Sequence, residues 1–222
     1  MNKRTLFLIL IVFVSLTILF TTNLESSSFK TTAHFVNVTN VRSFVRIHYC
    51  FWEILPRWNK LSYCSEKPDY NINSVFSEID SQYRFVLKWD SSEQEFEVYS
   101  PRAVDNPFDT FYPNETVLIF FENETIKEIE HDDINFEFLD FTLIKGWNAI
   151  PYIFLADLNV DSLANEMEDF RFILKWNKLE QKFDIYSPRA AENELEYIYV
   201  SEGIFIYSEK FQSYSFSAGD FN

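Results

Sequence analysis

The sequence predicts a mainly β protein of α+β type, with two tandem copies of a small antiparallel β module, each with one short helix, behind an N-terminal hydrophobic helix. Three observations lead there: an internal repeat, period-two alternation of apolar residues within it, and an apolar leader after two cations.

The repeat is read at an offset of 87 residues. Arg84-Phe-Val-Leu-Lys-Trp89 aligns with Arg171-Phe-Ile-Leu-Lys-Trp176, Glu93-Gln94 with Glu180-Gln181, and Tyr99-Ser-Pro-Arg-Ala103 with Tyr186-Ser-Pro-Arg-Ala190. From Arg84 to Glu122, eighteen of thirty-nine paired positions are identical, far above chance. After a shift of two residues the match continues upstream, pairing Trp58-Asn59 with Trp147-Asn148 and Tyr63 with Tyr152. The units are expected at 45–124 and 136–210, with a charged link at 125–135 and a tail, 211–222, that resembles neither.

Within a unit, Phe85, Leu87 and Trp89 alternate with Arg84, Val86 and Lys88, as in a strand. Asp90 to Gln94 reads as a hairpin turn and Phe96 to Tyr99 as the returning strand, which Pro101 ends because it has no N–H for the ladder. Val117–Phe121 and Gly203–Tyr207 read as later strands, and 148–154 as an earlier one. The stretch 161–169 reads as a helix capped by Asp161, with a weaker counterpart at 74–81. A module near 75 residues folds alone only marginally, so the copies are expected to pack on each other or to rely on a dense aromatic core. Phe alone supplies 25 residues and aromatics 19% of the chain, whereas Gly supplies three, which excludes collagen-like and Gly-rich linker readings.

Lys3 and Arg4 precede an apolar run to Thr22. Cations before such a run mark an export signal or an uncleaved anchor, because the positive flank stays in the cytoplasm. Residues 1–24 are therefore expected as a signal peptide or anchor helix, which gives the chain a membrane partner and places the rest outside the cytoplasm, membrane-anchored or secreted. Cys50 and Cys64, the only two cysteines, are a candidate disulfide in an oxidising compartment. Asn37, Asn114 and Asn123 head glycosylation sequons. The net charge of −15 opposes nucleic-acid phosphates, so no nucleic-acid partner is expected. His34, His48 and His131 lack metal-ligand spacing, and no P-loop, G-x-S-x-G or H-E-x-x-H occurs. No metal, no cofactor and no catalytic residue is assigned, and the chain is not expected to be an enzyme.

The second unit resembles a repeat of archaeal and bacterial surface and secreted proteins. Gly146-Trp147-Asn148 opens it, Trp176 ends a strand, Phe183-Asp-Ile-Tyr186-Ser-Pro188 follows, and Ser201 to Tyr207 stands in for the closing strand. In the first unit Arg57 replaces the opening Gly and Thr116 the later one. The resemblance implies an accessory or structural surface module and carries over no catalytic residue.

The functional expectation is thus a non-catalytic cell-surface protein of structural or adhesive type. Two alternatives stand beside it. One is a glycan- or ligand-binding module, with a cell-surface glycan or protein as partner, in which Trp58 and Trp147 supply rings while Arg102 and Arg189 read an anionic group. The other is an uncharacterised hydrolase, for which Glu93 and Glu180 are the recurring carboxylates. Against the ring platform stands a simpler role for the aromatics: period-two rings beside Leu and Val pack a core.

Overall fold

The computed structural model describes residues 50–63, 69–79, 82–113, 115–122, 127–131, 138–152 and 157–217. The leader, Cys64, and sequon residues Asn37, Asn114 and Asn123 lie outside them, and with Cys64 so does the expected disulfide. Among the described residues no helix is long and apolar enough to cross a membrane.

The chain is mainly β, and its sheets are antiparallel. In order come β1 (Cys50–Ile54), β2 (Arg57–Ser62), helix α1 (Ile72–Val75), a 3-10 turn (Ser77–Ile79), β3 (Tyr83–Asp90), β4 (Glu95–Tyr99), β5 (Thr116–Phe121) and β6 (Lys127–His131). Then follow β7 (Phe138–Leu143), β8 (Gly146–Pro151), β9 (Leu158–Asn159), α2 (Val160–Glu166), β10 (Phe170–Asn177), β11 (Lys182–Tyr186), β12 (Tyr197–Ile198), β13 (Gly203–Ser208) and β14 (Gln212–Ser217). Two four-stranded sheets have the same layout, β2-β5-β3-β4 and β8-β13-β10-β11. A two-stranded ribbon accompanies each: β1 pairs with β6 and β7 with β14. Residues 127–131 and 212–217, expected as link and tail, are therefore strands. Both are short and rich in polar residues, which hides them.

The helix start differs from expectation. Asn159, not Asp161, caps α2: its backbone is extended and its Oδ1 accepts the Ser162 N–H at 3.2 Å. Asp161 lies in the first turn, where a carboxylate complements the exposed N–H groups. The earlier strand also begins sooner, at Gly146, and ends at Pro151.

Each sheet has two apolar faces. One packs on that sheet's own helix: Val86, Val117, Ile119 and Tyr99 join Trp52, Ile72, Phe76 and Phe111. In the second sheet Ile150, Ile173, Ile204 and Ile206 join Val160, Leu163 and Leu195. The other face carries Trp89, Phe96 and Leu118 in the first sheet, and Trp176, Phe183 and Phe205 in the second. Aromatics therefore serve both faces: Trp52, Phe76, Tyr99 and Phe111 help fill the first core beneath its helix, where the second core is mostly aliphatic, while Trp89, Phe96, Trp176, Phe183 and Phe205 lie on the face turned to the other sheet.

The Gly-Trp-Asn segment is a turn with a clamp. Gly146 has φ +110°, and its counterpart Arg57 has φ +74°. The turn aims the next Asn inward. The Asn148 Oδ1 accepts the Ile144 N–H at 2.9 Å, and its Nδ2 donates to the Ile144 and Gly146 carbonyls at 2.8 and 3.0 Å. Asn59 does the same with Leu55 (2.9 and 2.7 Å) and the Arg57 carbonyl (3.2 Å). Both amides are buried, so each substitutes for water on turn groups that would otherwise be orphaned.

The left-handed backbone yields an opposed pair of expectations. A Cβ at Gly146 would lie 2.4 Å from the Gln94 Oε1 on a backbone L-residues avoid, so Gly146→Ala is expected to cost about 1–3 kcal/mol. At Arg57, Gly relieves the same strain but adds unfolded-state entropy, so Arg57→Gly is expected to gain up to about 1 kcal/mol. Urea unfolding of the two variants measures both signs.

Candidate functional site

The recurring residues converge where the two sheets meet, and they do so reciprocally. The hairpin turn between β3 and β4 ends in Gln94, and that between β10 and β11 in Gln181, both left-handed (φ +54° and +55°). Each turn is set by the strand residue just before it: Asp90 Oδ1 accepts the Ser92 and Glu93 N–H groups, and Asn177 Oδ1 accepts those of Leu179 and Glu180. A four-residue turn with a left-handed last position throws the glutamine sideways.

Gln94 crosses to the second sheet. Its Oε1 accepts the Trp147 N–H at 2.7 Å, and its Nε2 donates to the Trp147 carbonyl at 2.8 Å. Gln181 crosses the other way, accepting the Trp58 N–H at 3.0 Å and donating to the Trp58 carbonyl at 3.0 Å. A tryptophan from each sheet joins the same carbonyl: Trp89 Nε1 donates to Trp147 O, and Trp176 Nε1 to Trp58 O, both at 2.9 Å. Strands β2 and β8 are edge strands, so these backbone groups have no ladder partner on that side; the opposite module's side chains complete them. The contact is two-fold in pattern, each sheet giving a Gln and a Trp and receiving both.

The residues between are not symmetric. Thr116 and Gly203 hold corresponding positions and face each other so closely that a Cβ on Gly203 would lie 1.9 Å from Thr116 Oγ1. That hydroxyl donates to the Leu61 carbonyl at 2.9 Å. Ser62 donates through its N–H to Ser201 O (2.9 Å) and through its Oγ to Glu202 O (2.7 Å). Its counterpart is Pro151, which has no N–H to give. Phe205 corresponds to Leu118, and its ring meets Trp89, Phe96 and Phe183 edge-on at 5.8–6.0 Å. Lys60, opposite in role to Ala149, lays its ammonium 3.7 Å from the Phe205 ring centroid and is 7% exposed. Burial holds its amine well below the ordinary lysine range, and no other cause contributes. A desolvated cation on a ring gains about 2 kcal/mol, against several for removing an ion from water, so burial wins.

At the flanks a Lys–Glu pair recurs. Lys88 pairs with Glu115 at 2.5 Å and Lys175 with Glu202 at 3.4 Å. Burial raises the Glu202 carboxyl, with the Lys175 ammonium and the Tyr199 N–H pulling it back.

The residues expected to bind a ligand are dispersed. The Trp58 ring packs edge-on against Phe120 at 5.1 Å, and Trp147 against Tyr207 at 5.2 Å; both are half-buried. Arg102 is exposed and meets Glu122 at 3.7 Å, a pair worth little in solvent. Arg189 is exposed too. Among the described residues no hydrogen bond, ion pair or ring contact joins these four. Among the described residues no cluster of His, Cys, Asp or Glu is arranged to hold a metal. Glu93 and Glu180 are exposed on the two turns. Sequence reasoning missed Gln94 and Gln181 as contact residues, although both stood in the aligned pairs: a Glu-Gln pair kept at the end of a turn whose first two positions differ was the available signal. Compared with known families, with curated proteins and with solved structures, the chain matches none.

Two expectations follow. Gln94→Ala or Gln181→Ala strips partners from a sheltered N–H and carbonyl, so each is expected to cost about 1–3 kcal/mol in urea unfolding. Gly203→Ala is expected to destabilise through its clash with Thr116, and Thr116→Ala in the same chain should restore part of the loss. A double-mutant cycle would show coupling of about 1 kcal/mol or more.

Proposed function

We propose that the chain is a non-catalytic extracytoplasmic surface protein of structural or adhesive type, built from a duplicated β module. The observation that carries this reading is how the recurring side chains are used. Asn59 and Asn148 clamp turns, Gln94 and Gln181 bridge the sheets, and Trp89 and Trp176 donate to the carbonyls beside them. Tyr99 and Tyr186 serve the helices, the first donating to Asn73 at 2.9 Å and the second lying near Asp161, where burial and that carboxylate's charge raise the phenol. A repeated motif whose members are engaged in holding shape fits a rigid spacer or adhesive unit. The same strand order in both sheets, with residues at the 87-residue offset in the same places, supports duplication. The resemblance to surface-protein repeats and the cationic, apolar leader support the compartment.

A second reading rests on one feature. Beside Trp147, Phe172 stacks at 6.4 Å and is 37% exposed, and Tyr207 completes a ring cluster on the same sheet face. Rings open on one side are the usual platform for a sugar face, so glycan binding is the alternative.

Fractionation of cells expressing the full chain tests the first reading: the protein is expected in the envelope or medium, and recovery in the cytosol would contradict it. A glycan array tests the second: binding abolished by Trp147→Ala supports it, and no binding to any glycan removes it.

A further inference from the structure

We propose that Lys60 is a proton-operated latch between the two sheets: neutral, it packs as an aliphatic arm across the interface, and on taking up a proton it loosens the contact. The geometry carries this. Lys60 sits on the β2 face turned to the second sheet, its ammonium 3.7 Å from the Phe205 ring centroid and its Cε against Gly203. Its register partner on β5 is Leu118. Neither Phe205, Gly203 nor Leu118 titrates or carries charge. The charged groups on neighbouring elements are engaged elsewhere: Glu115 with Lys88 of β3, and Glu202 with Lys175 of β10. On β4, Glu97 lies on the opposite face with Lys88, and Glu95 is exposed; on β11, Lys182 pairs with Glu180 and Glu194, and Asp184 accepts from Asn177. The corresponding position in the second sheet is Ala149, so the ammonium is not needed to build this face. A buried amine laid against a ring, with no acid facing it among the described residues, is a group whose protonation opposes the packing around it.

The sign follows from burial. The folded amine titrates below the unfolded value near 10.5, so the unfolded chain holds the extra proton over that interval. Stability contributed by Lys60 is therefore at its lowest below the folded titration point. It rises with pH through the interval and is complete near 10.5. One proton sets the limit at a tenfold change in the unfolding constant per pH unit.

The test is urea unfolding of the full chain and of Lys60→Met from pH 6 to 9.5, with exchange of the Trp58 and Trp147 amide protons followed in parallel. The wild type is expected to gain stability with pH relative to Lys60→Met, approaching the tenfold limit. The two Trp amides are expected to exchange faster at pH 6 in the wild type than in the variant, after correction for intrinsic rates. Should Lys60→Met fail to fold, Lys60→Ala, which copies the counterpart position, takes its place. Parallel stability profiles for wild type and variant, or amide protection that does not distinguish them, would overturn the proposal.

Discussion

The architecture depends on a backbone problem at two edge strands. Trp58 and Trp147 each present an N–H and a carbonyl away from the ladder, in a place that packing shelters from water. An unpaired group there costs about as much as a lost hydrogen bond or more. The solution is supplied from outside the module. The glutamine of the opposite turn pairs with both groups, and a tryptophan beside it donates a further bond to the carbonyl. Neither sheet satisfies its own edge, so neither is complete without the other. This explains why a module near the lower size limit for independent folding occurs as a pair.

Other features serve that exchange. The left-handed residue at position 57 or 146 turns the chain so that the Trp backbone faces outward and the Asn side chain inward. The buried Asn then fixes the turn's carbonyls, and the left-handed Gln closes a hairpin at the angle that lets its amide reach across. Between these symmetric ends, substitution has made the centre unequal: Thr against Gly, Leu matched by Phe, Lys by Ala. Bulk lost on one side is filled from the other. Two identical copies of either module would place two threonines, or two glycines, at the same point, so the present sequence specifies the unlike pairing.

The strands were legible because apolar residues alternate, and the repeat was legible because the alignment needs no gap from Arg84 to Glu122. The helix was legible too, but its cap lay two residues earlier, since Asn159 and Asp161 offer the same chemistry and only backbone geometry separates them. The ribbon strands at 127–131 and 212–217 were not legible: both are short and rich in polar residues, and the second offers only Tyr214 and Phe216 as a period-two signal. The aromatic positions were visible, but not which face they occupied. Both faces of each sheet are buried in places, and periodicity does not tell a face against a helix from a face against another sheet. Of the contact residues, the tryptophans drew attention as large rings, whereas the glutamines carry no chemistry until the opposite edge is seen.

Native-state hydrogen exchange across both sheets tests the central claim most directly. If the sheets complete each other, the core amides of β5 and β13 will exchange through a single opening, with one free energy equal to that of global unfolding, and the Trp58 and Trp147 amides will belong to the same group. If one sheet's amides exchange at a distinctly lower free energy while the other stays protected, the modules are independent and the account is wrong.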